Sequence, residues 1–209
     1  KDADKLAKSM MDSGIDKILW SNRRSADTVK KMNEMGILTG CYDIYQDVLN
    51  PAFKDLVTSY SSQYLPEAYP NDIAIKDDGS MVQAWPLLRK DGNGYINCVA
   101  LCDMCAPKYA RQKIPEDLKT TDFGGRFIDT TTASVLRECY SPSHPMTKTQ
   151  SRQSRYELLK VSSEENGLVT GSENGMDFCV PVCDYFEGMM SLYFYRIENA
   201  GRNTDTLLE

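Results

Sequence analysis

Two runs decide how this chain folds: Gly124-Gly125-Arg126-Phe127-Ile128-Asp129-Thr130-Thr131-Thr132 and Gly167-Leu168-Val169-Thr170-Gly171-Ser172-Glu173-Asn174-Gly175. Each reads as a short strand that ends in one carboxylate and then breaks into small polar residues. In a barrel of parallel strands, side chains at the C-terminal strand ends project into the active site, and an apolar strand has no structural use for an acid there. Asp129 and Glu173 are therefore the candidate catalytic pair. A bland alternative stays open for each as a loop acid, and for Asp129 the threonines that follow also allow an N-cap role.

Outward from these runs the same rhythm recurs: an amphipathic helix, a terminating glycine, then an apolar strand ending in polar residues. Asp4 to Ser13 carries Leu6 and Met10 and ends at Gly14, before a strand from Ile15 to Trp20. Ser25 can cap a second helix with Val29 and Met32 on one face, ending at Gly36 before Ile37-Leu38-Thr39-Gly40-Cys41-Tyr42-Asp43. A third helix from about Ser151 carries Tyr156, Leu158 and Leu159 and ends at Asn166-Gly167. Helices alternating with short buried strands imply right-handed βαβ units and a parallel sheet.

A different stretch, from Gln46 to Lys90, is rich in Tyr and Pro, and the turns Asp77-Asp78-Gly79 and Asp91-Gly92-Asn93-Gly94 flank a hairpin containing Trp85. So long an excursion after a strand end reads as a lid-like insertion, at about residues 46–95. Ile96 to Asp103 then reads as a strand and Ala106 to Leu118 as a helix. Strand candidates lie around Ile18, Ile37, Val99, Ile128, Val169 and Tyr185. A complete eight-stranded barrel takes ~250 residues, and Lys1 opens directly into a helical pattern. The expectation is an α/β fold: a TIM-type (β/α)8 barrel, present as an incomplete fragment, in one catalytic domain over residues 1–209. An open doubly wound sheet is the alternative, but no GxGxxG follows any strand, so its dinucleotide-binding form has little support.

The chain is 41% hydrophobic, enough for a sizeable core, and its net charge of −6 with scattered Lys and Arg gives no support for nucleic-acid binding. A neutral or cationic small ligand fits better. No apolar stretch approaches the ~20 residues that span a bilayer, so no membrane partner is expected. The seven cysteines read as buried, reduced and apolar in behaviour. Cys98-x3-Cys102-x2-Cys105 suggests zinc, yet no second CxxC pair or nearby histidine completes a tetrahedral site in sequence; no metal and no cofactor are expected. Free thiols favour the cytoplasm and polysaccharide degradation favours the periplasm or the exterior, which leaves the compartment open.

Other acids end strand-like runs in the same way: Asp43 after Tyr42, Asp103 after Cys102, and Asp184 with Glu187 in Cys183-Asp184-Tyr185-Phe186-Glu187. Carboxylates with Tyr42 and Trp85 at one rim resemble a sugar pocket, where acids accept hydroxyl hydrogen bonds and aromatic faces stack on C–H surfaces. His144, the single histidine, excludes a multi-histidine zinc centre within the chain; it is either a loop residue fixed by Pro145 or a substrate contact. Arg137 either pairs locally with Glu138 or faces inward to hold the nucleophile's charge.

The strings GRFIDTTTAS, RECYSPSHPMT, LVTGSENG and CDYFEGMMS, together with MGILTGCYDIYQDV, resemble the catalytic barrel of bacterial glycoside hydrolases related to α-N-acetylgalactosaminidases, families 129 and 101, over roughly residues 4–191. The resemblance implies a retaining mechanism with an aspartate nucleophile on one strand and a glutamate acid/base on the next, which fall on Asp129 and Glu173. It also implies a carbohydrate partner, an α-linked galactose-type sugar on an oligosaccharide or glycoconjugate. Two other readings remain: a carbohydrate-binding barrel without activity, and a metal-dependent hydrolase or lyase using Asp43, Asp103, Asp129 and Glu173 as oxygen ligands.

Overall fold

The computed structural model describes residues 3–60 and 63–187; the polar stretch 198–209 and the end of the CDYFEGMMS string lie outside them. Helix α1 (Ala3–Asp12) leads to β1 (Leu19–Trp20) and α2 (Ala26–Glu34) to β2 (Leu38–Asp43). The Ser25 hydroxyl caps α2 by accepting from the Thr28 N–H at 3.4 Å. Gly36 ends that helix at φ 84°, a left-handed conformation that only glycine adopts without steric cost. α3 (Ala106–Thr120) precedes β6 (Gly125–Ile128), α4 (Lys148–Lys160) precedes β7 (Val169–Glu173), and β8 (Tyr185–Glu187) ends the described chain. α4 starts earlier than its apolar pattern suggests because Thr147 and Gln150 form a reciprocal capping box ahead of it.

These strands form a five-stranded sheet in the order β1-β2-β6-β7-β8, every neighbouring pair parallel. It curls as half of a barrel, the partial TIM-type architecture expected. The strand around Val99 does not join it. β5 (Tyr95–Ala100) lies in a separate antiparallel sheet of order β3-β5-β4, with β3 (Asp47–Val48) and β4 (Gln83–Leu88). The physical reason is the short Asp91–Gly94 turn: parallel neighbours need a crossover of a dozen residues or more, whereas a short turn returns the chain antiparallel. The Tyr- and Pro-rich segment thus contributes two strands to this small sheet.

Strand alternation gives the parallel sheet two chemically distinct faces. Tyr42, Phe127, Gly171 and Tyr185 share one rung on the inner face. Asp43, Ile128, Ser172 and Phe186 share the next rung, on the face that α3 and α4 cover. There Ile128 packs with Ile114 of α3 and with Leu158 and Leu159 of α4 in the main core. The same covered face holds a chain of charges: Asp43 accepts from Arg126 at 2.6 Å, Arg126 donates to Asp117 at 2.6 Å, and Asp117 accepts from Arg23 at 2.8 Å. Lys113 of α3 also donates to Asp43. Asp43 and Arg126 are wholly buried.

On the inner face no side chain intervenes at Gly171, because the Tyr185 ring lies over it; a Cβ there would stand 2.1 Å from the ring. The ring instead reaches Phe127, with centroids 6.3 Å apart, and Phe127 lies 6.0 Å from Tyr42. Aromatic rings from β2, β6 and β8 therefore form one row across the sheet, passing over β7 at Gly171.

Candidate active site

Asp129 and Glu173 stand at the same level on adjacent strands. Their predecessors Ile128 and Ser172 are register partners, and the Ser172 hydroxyl ties the two ends together by donating to the Ile128 carbonyl at 2.6 Å. The backbone turns sharply just past each acid. Thr130 has φ 58° and Asn174 φ 39°, the left-handed region that a β-branched threonine occupies only at a cost. These paired kinks end the strands and stop the two acids on the inner face, above the aromatic row. The Thr132 hydroxyl donates to the Glu173 carbonyl, bridging the two loops.

Asp129 is held by two donors: the Tyr42 hydroxyl reaches Oδ2 at 2.5 Å, and the Thr130 N–H reaches Oδ1 at 2.9 Å. Glu173 lies within hydrogen-bonding reach of Asp129, and its proton affinity is raised, first by burial, then by the Asp129 charge and the shared hydrogen bond. One carboxyl is thus biased to keep a proton beside another fixed as an acceptor, the division of labour that acid-base chemistry between two acids requires. Burial and the bond to Asp129 likewise raise the Tyr42 phenol, so it remains a donor across the working pH range.

Of the other residues singled out in the sequence, Tyr42 reaches the pair and Glu187 faces Glu173 across the β7–β8 rung. Asp43 and Asp103 do not reach it. Asp43 points to the helix-covered face, where burial would raise its proton affinity but Arg126 and Lys113 hold it below the usual carboxylate range. Asp103 follows β5 in the other sheet and is buried against Arg155 Nε at 3.0 Å, the Ser151 hydroxyl at 2.6 Å and Gln46 Nε2 at 3.0 Å. Four oxygen ligands on Asp43, Asp103, Asp129 and Glu173 therefore do not converge on one ion. Asp184 sits at the start of β8, where its carboxylate accepts from the Thr170 N–H at 2.8 Å; this is the opposite end of the sheet from the acids. His144 is buried, with Nε2 donating to the Asn71 carbonyl at 2.8 Å. Trp85 is 71% exposed on the small sheet.

Arg137 turns toward Gln46. Its Nη2 donates to Gln46 Oε1 at 3.2 Å, and its Nη1 is buried without a partner among the described residues. Gln46 also accepts from the Ser134 hydroxyl at 2.7 Å, which links the rim to the Asp103–Arg155 cluster. Sequence reasoning missed Asp47. It is buried on β3, accepts from the Trp85 N–H at 3.4 Å, and its proton affinity is raised by burial and then by the charge of Asp129. A lone acid inside the apolar run Ile44-Tyr45-Gln46-Asp47-Val48-Leu49 was the available signal. Phe127 and Tyr185 were missed too, because their rung emerges only from the register. The surface hollows around Ile37 and Gly124 and around Leu168 and Asp184 lie toward the other strand ends and do not contain the acid pair.

A family model described as glycosyl hydrolases related to GH101 family, GH129, matches residues 13–205. No curated protein matches the chain. Among solved structures, the α-N-acetylgalactosaminidase NagBb from Bifidobacterium bifidum in complex with GalNAc superimposes with TM-score 0.65 at 19% identity, covering 86% of this chain and 30% of that one. The quadruple mutant of the same enzyme gives TM-score 0.71 at 18% identity, covering 95% and 34%. A GH36 α-galactosidase, AgaA from Geobacillus stearothermophilus, gives 0.50 at 14% identity, covering 81% and 25%. The chain thus spans about a third of the length of NagBb, and at these identities the likeness concerns the fold.

Proposed function

The chain belongs to glycosyl hydrolase family GH129, and from that premise we propose that it carries the catalytic acids of a retaining glycosidase acting on an α-linked galactose-type sugar. In the first step Asp129 Oδ attacks the anomeric carbon as the glycosidic C–O bond breaks, and Glu173 gives its proton to the departing oxygen. In the second step Glu173, now a carboxylate, takes a proton from water, whose oxygen displaces Asp129 and frees the sugar. Tyr42 and the Thr130 N–H keep Asp129 aimed before attack. The aromatic row of Tyr42, Phe127 and Tyr185 provides a wall for the C–H face of the ring, and Arg137 Nη1 is a donor for a sugar hydroxyl.

The observation that carries this reading is the close approach of the two carboxyls, with the proton affinity of Glu173 raised by burial and then by the charge of Asp129. Retaining enzymes hold their carboxyls about 5–5.5 Å apart and inverting ones about 6.5–9.5 Å, to admit a water. A close pair leaves no room for an intervening water, which supports the retaining reading. The galactose-type specificity draws on the substrates named for NagBb and AgaA.

The test is turnover of aryl α-N-acetylgalactosaminides and α-galactosides, with product configuration followed by NMR. Retention is expected. Asp129→Asn should lose both steps, whereas Glu173→Ala should glycosylate from an activated aryl substrate, stall, and be rescued by azide, a small anion that needs no base. An inverted product, or wild-type turnover by Asp129→Asn, overturns the assignment.

A further inference from the structure

Away from the acid pair the fold gathers three thiols and the single imidazole. Cys102, Cys105 and His144 each offer a ligand atom, all within 4.8 Å of one another. Cys139 stands beside this group rather than inside its 4.8 Å circle, its Sγ lying 3.5 Å from His144 Nδ1. In sequence the spacing is Cys102-x2-Cys105, then Cys139-x4-His144; Cys98 is not part of it and packs instead with Leu49 and Val57. The histidine that the sequence alone could not supply comes from the loop between β6 and α4.

We propose that Cys102, Cys105, Cys139 and His144 form a structural zinc site. Zinc in structural sites is tetrahedral with Zn–S near 2.3 Å and Zn–N near 2.0–2.1 Å, which sets S···N edges of about 3.6 Å. The Cys139–His144 separation matches that edge. His144 is in the tautomer a metal requires: Nε2 donates to the Asn71 carbonyl, so Nε2 bears the proton and Nδ1 presents its lone pair toward the thiols, with the carbonyl as the outer partner typical of ligating histidines.

The backbone shapes both halves. The Cys105 N–H donates to the Cys102 carbonyl at 2.9 Å, a tight turn that brings the two thiols together. Cys139 and Met146 exchange N–H···O bonds of 2.8 and 2.9 Å, closing the loop that returns His144 to Cys139. The Ile75 N–H points at Cys139 Sγ from 3.4 Å, a donor suited to a thiolate. Cys102, Cys139 and His144 are buried and Cys105 is half-buried, as in a closed site with all four positions filled by protein. Zinc would replace the three thiol protons, which leave to solvent, with no change of oxidation state. Its mechanical effect would be to pin the irregular loop carrying Arg137 and Ser134 to the start of α3.

The experiment uses the protein purified in reducing buffer without chelator. Elemental analysis should find one zinc per chain, and exchange for Co(II) should give thiolate charge-transfer and tetrahedral visible absorption bands. Cys105→Ser and Cys139→Ser should each lose the metal and the bands, Cys98→Ser and Cys183→Ser should keep both, and removing zinc should lower the thermal midpoint. Should Cys139→Ser fail to fold, the wild-type spectrum and the half-buried Cys105→Ser decide the matter. Absence of zinc and of Co(II)-thiolate bands in the wild type overturns the proposal. Stoichiometric metal in both variants, or a Cys102–Cys105 disulfide in the intact mass, would do the same.

Discussion

Thr130 and Asn174 occupy equivalent positions on neighbouring strands and both bend the backbone into the left-handed region, at φ 58° and 39°. Each immediately follows a proposed catalytic acid. Strain of this kind persists only where surrounding contacts enforce it, and here the bridge from Thr132 to the Glu173 carbonyl and the bond from Asn174 N–H to the Glu187 carbonyl at 3.1 Å supply that enforcement.

At an ordinary strand position alanine is more stabilising than glycine. At residue 130 the order should reverse, Thr130→Gly exceeding Thr130→Ala by about 1 kcal/mol in urea unfolding, because the positive φ penalises any Cβ. The glycine variant should also turn over more slowly, since a looser residue 130 fixes Asp129 less firmly. An alanine variant more stable than the glycine one would show that the kink is not held in solution.

Tyr42→Phe keeps the ring against Phe127 and deletes the donor to Asp129. Hydrogen bonds to charged groups are worth about 1.5–3 kcal/mol, so kcat should fall roughly ten- to hundredfold with little change in the melting temperature. Unchanged kcat would mean that the Tyr42 bond does not act on the reacting carboxylate.

The raised proton affinity of Glu173 has a definite sign. An acid that binds its proton more tightly when folded contributes stability at low pH that is lost as pH rises through its folded value. Glu173→Gln should therefore gain stability over wild type at neutral pH and lose that advantage in acid. The alkaline limb of kcat/KM should lie above the about 4.3 of a free glutamate, and the variant's residual turnover should lack that limb. Equal stabilities across the pH range would remove the argument for Glu173 as the proton holder.

Asp43 has the opposite sign, its affinity lowered by Arg126 and Lys113 against the push of burial. Its contribution is present above the ordinary carboxylate range and is lost as pH falls through its lower folded value. Removing it strands the buried Arg126, so Asp43→Ala should cost about 3–5 kcal/mol in denaturant unfolding, while KM of the protein that remains folded should hold. A rise in KM without loss of stability would return Asp43 to the sugar site.

The helix-glycine-strand rhythm made the parallel units legible, and an acid closing each of two apolar runs identified the pair that the fold brings into contact. What stayed hidden depends on registers and faces. Asp43 and Asp129 each follow an apolar run, but one residue of parity sends Asp43 under the helices and Asp129 to the inner side. Asp184 lies in a run that can equally begin or end at an acid, and the fold uses it as the beginning. The strand at Val99 reads the same in either direction; its direction is set by the turn before it. Asp47, Phe127 and Tyr185 become site residues only through neighbours distant in sequence.

Arg126 and Phe127 are adjacent in the chain and serve opposite sides of the sheet, one neutralising a buried carboxylate and the other lying in the aromatic row. The edge that carries the two acids is thereby counted rather than merely composed. Exchanging one apolar residue for another in β6 perturbs packing locally, but adding or deleting a single residue between Gly125 and Asp129 would swing the guanidinium onto the inner face, drive the ring beneath the helices and turn the proposed nucleophile away. At Phe127 and Ile128 this strand should accept apolar-for-apolar substitutions in a mutational scan and reject every single-residue insertion or deletion, as a reading frame does.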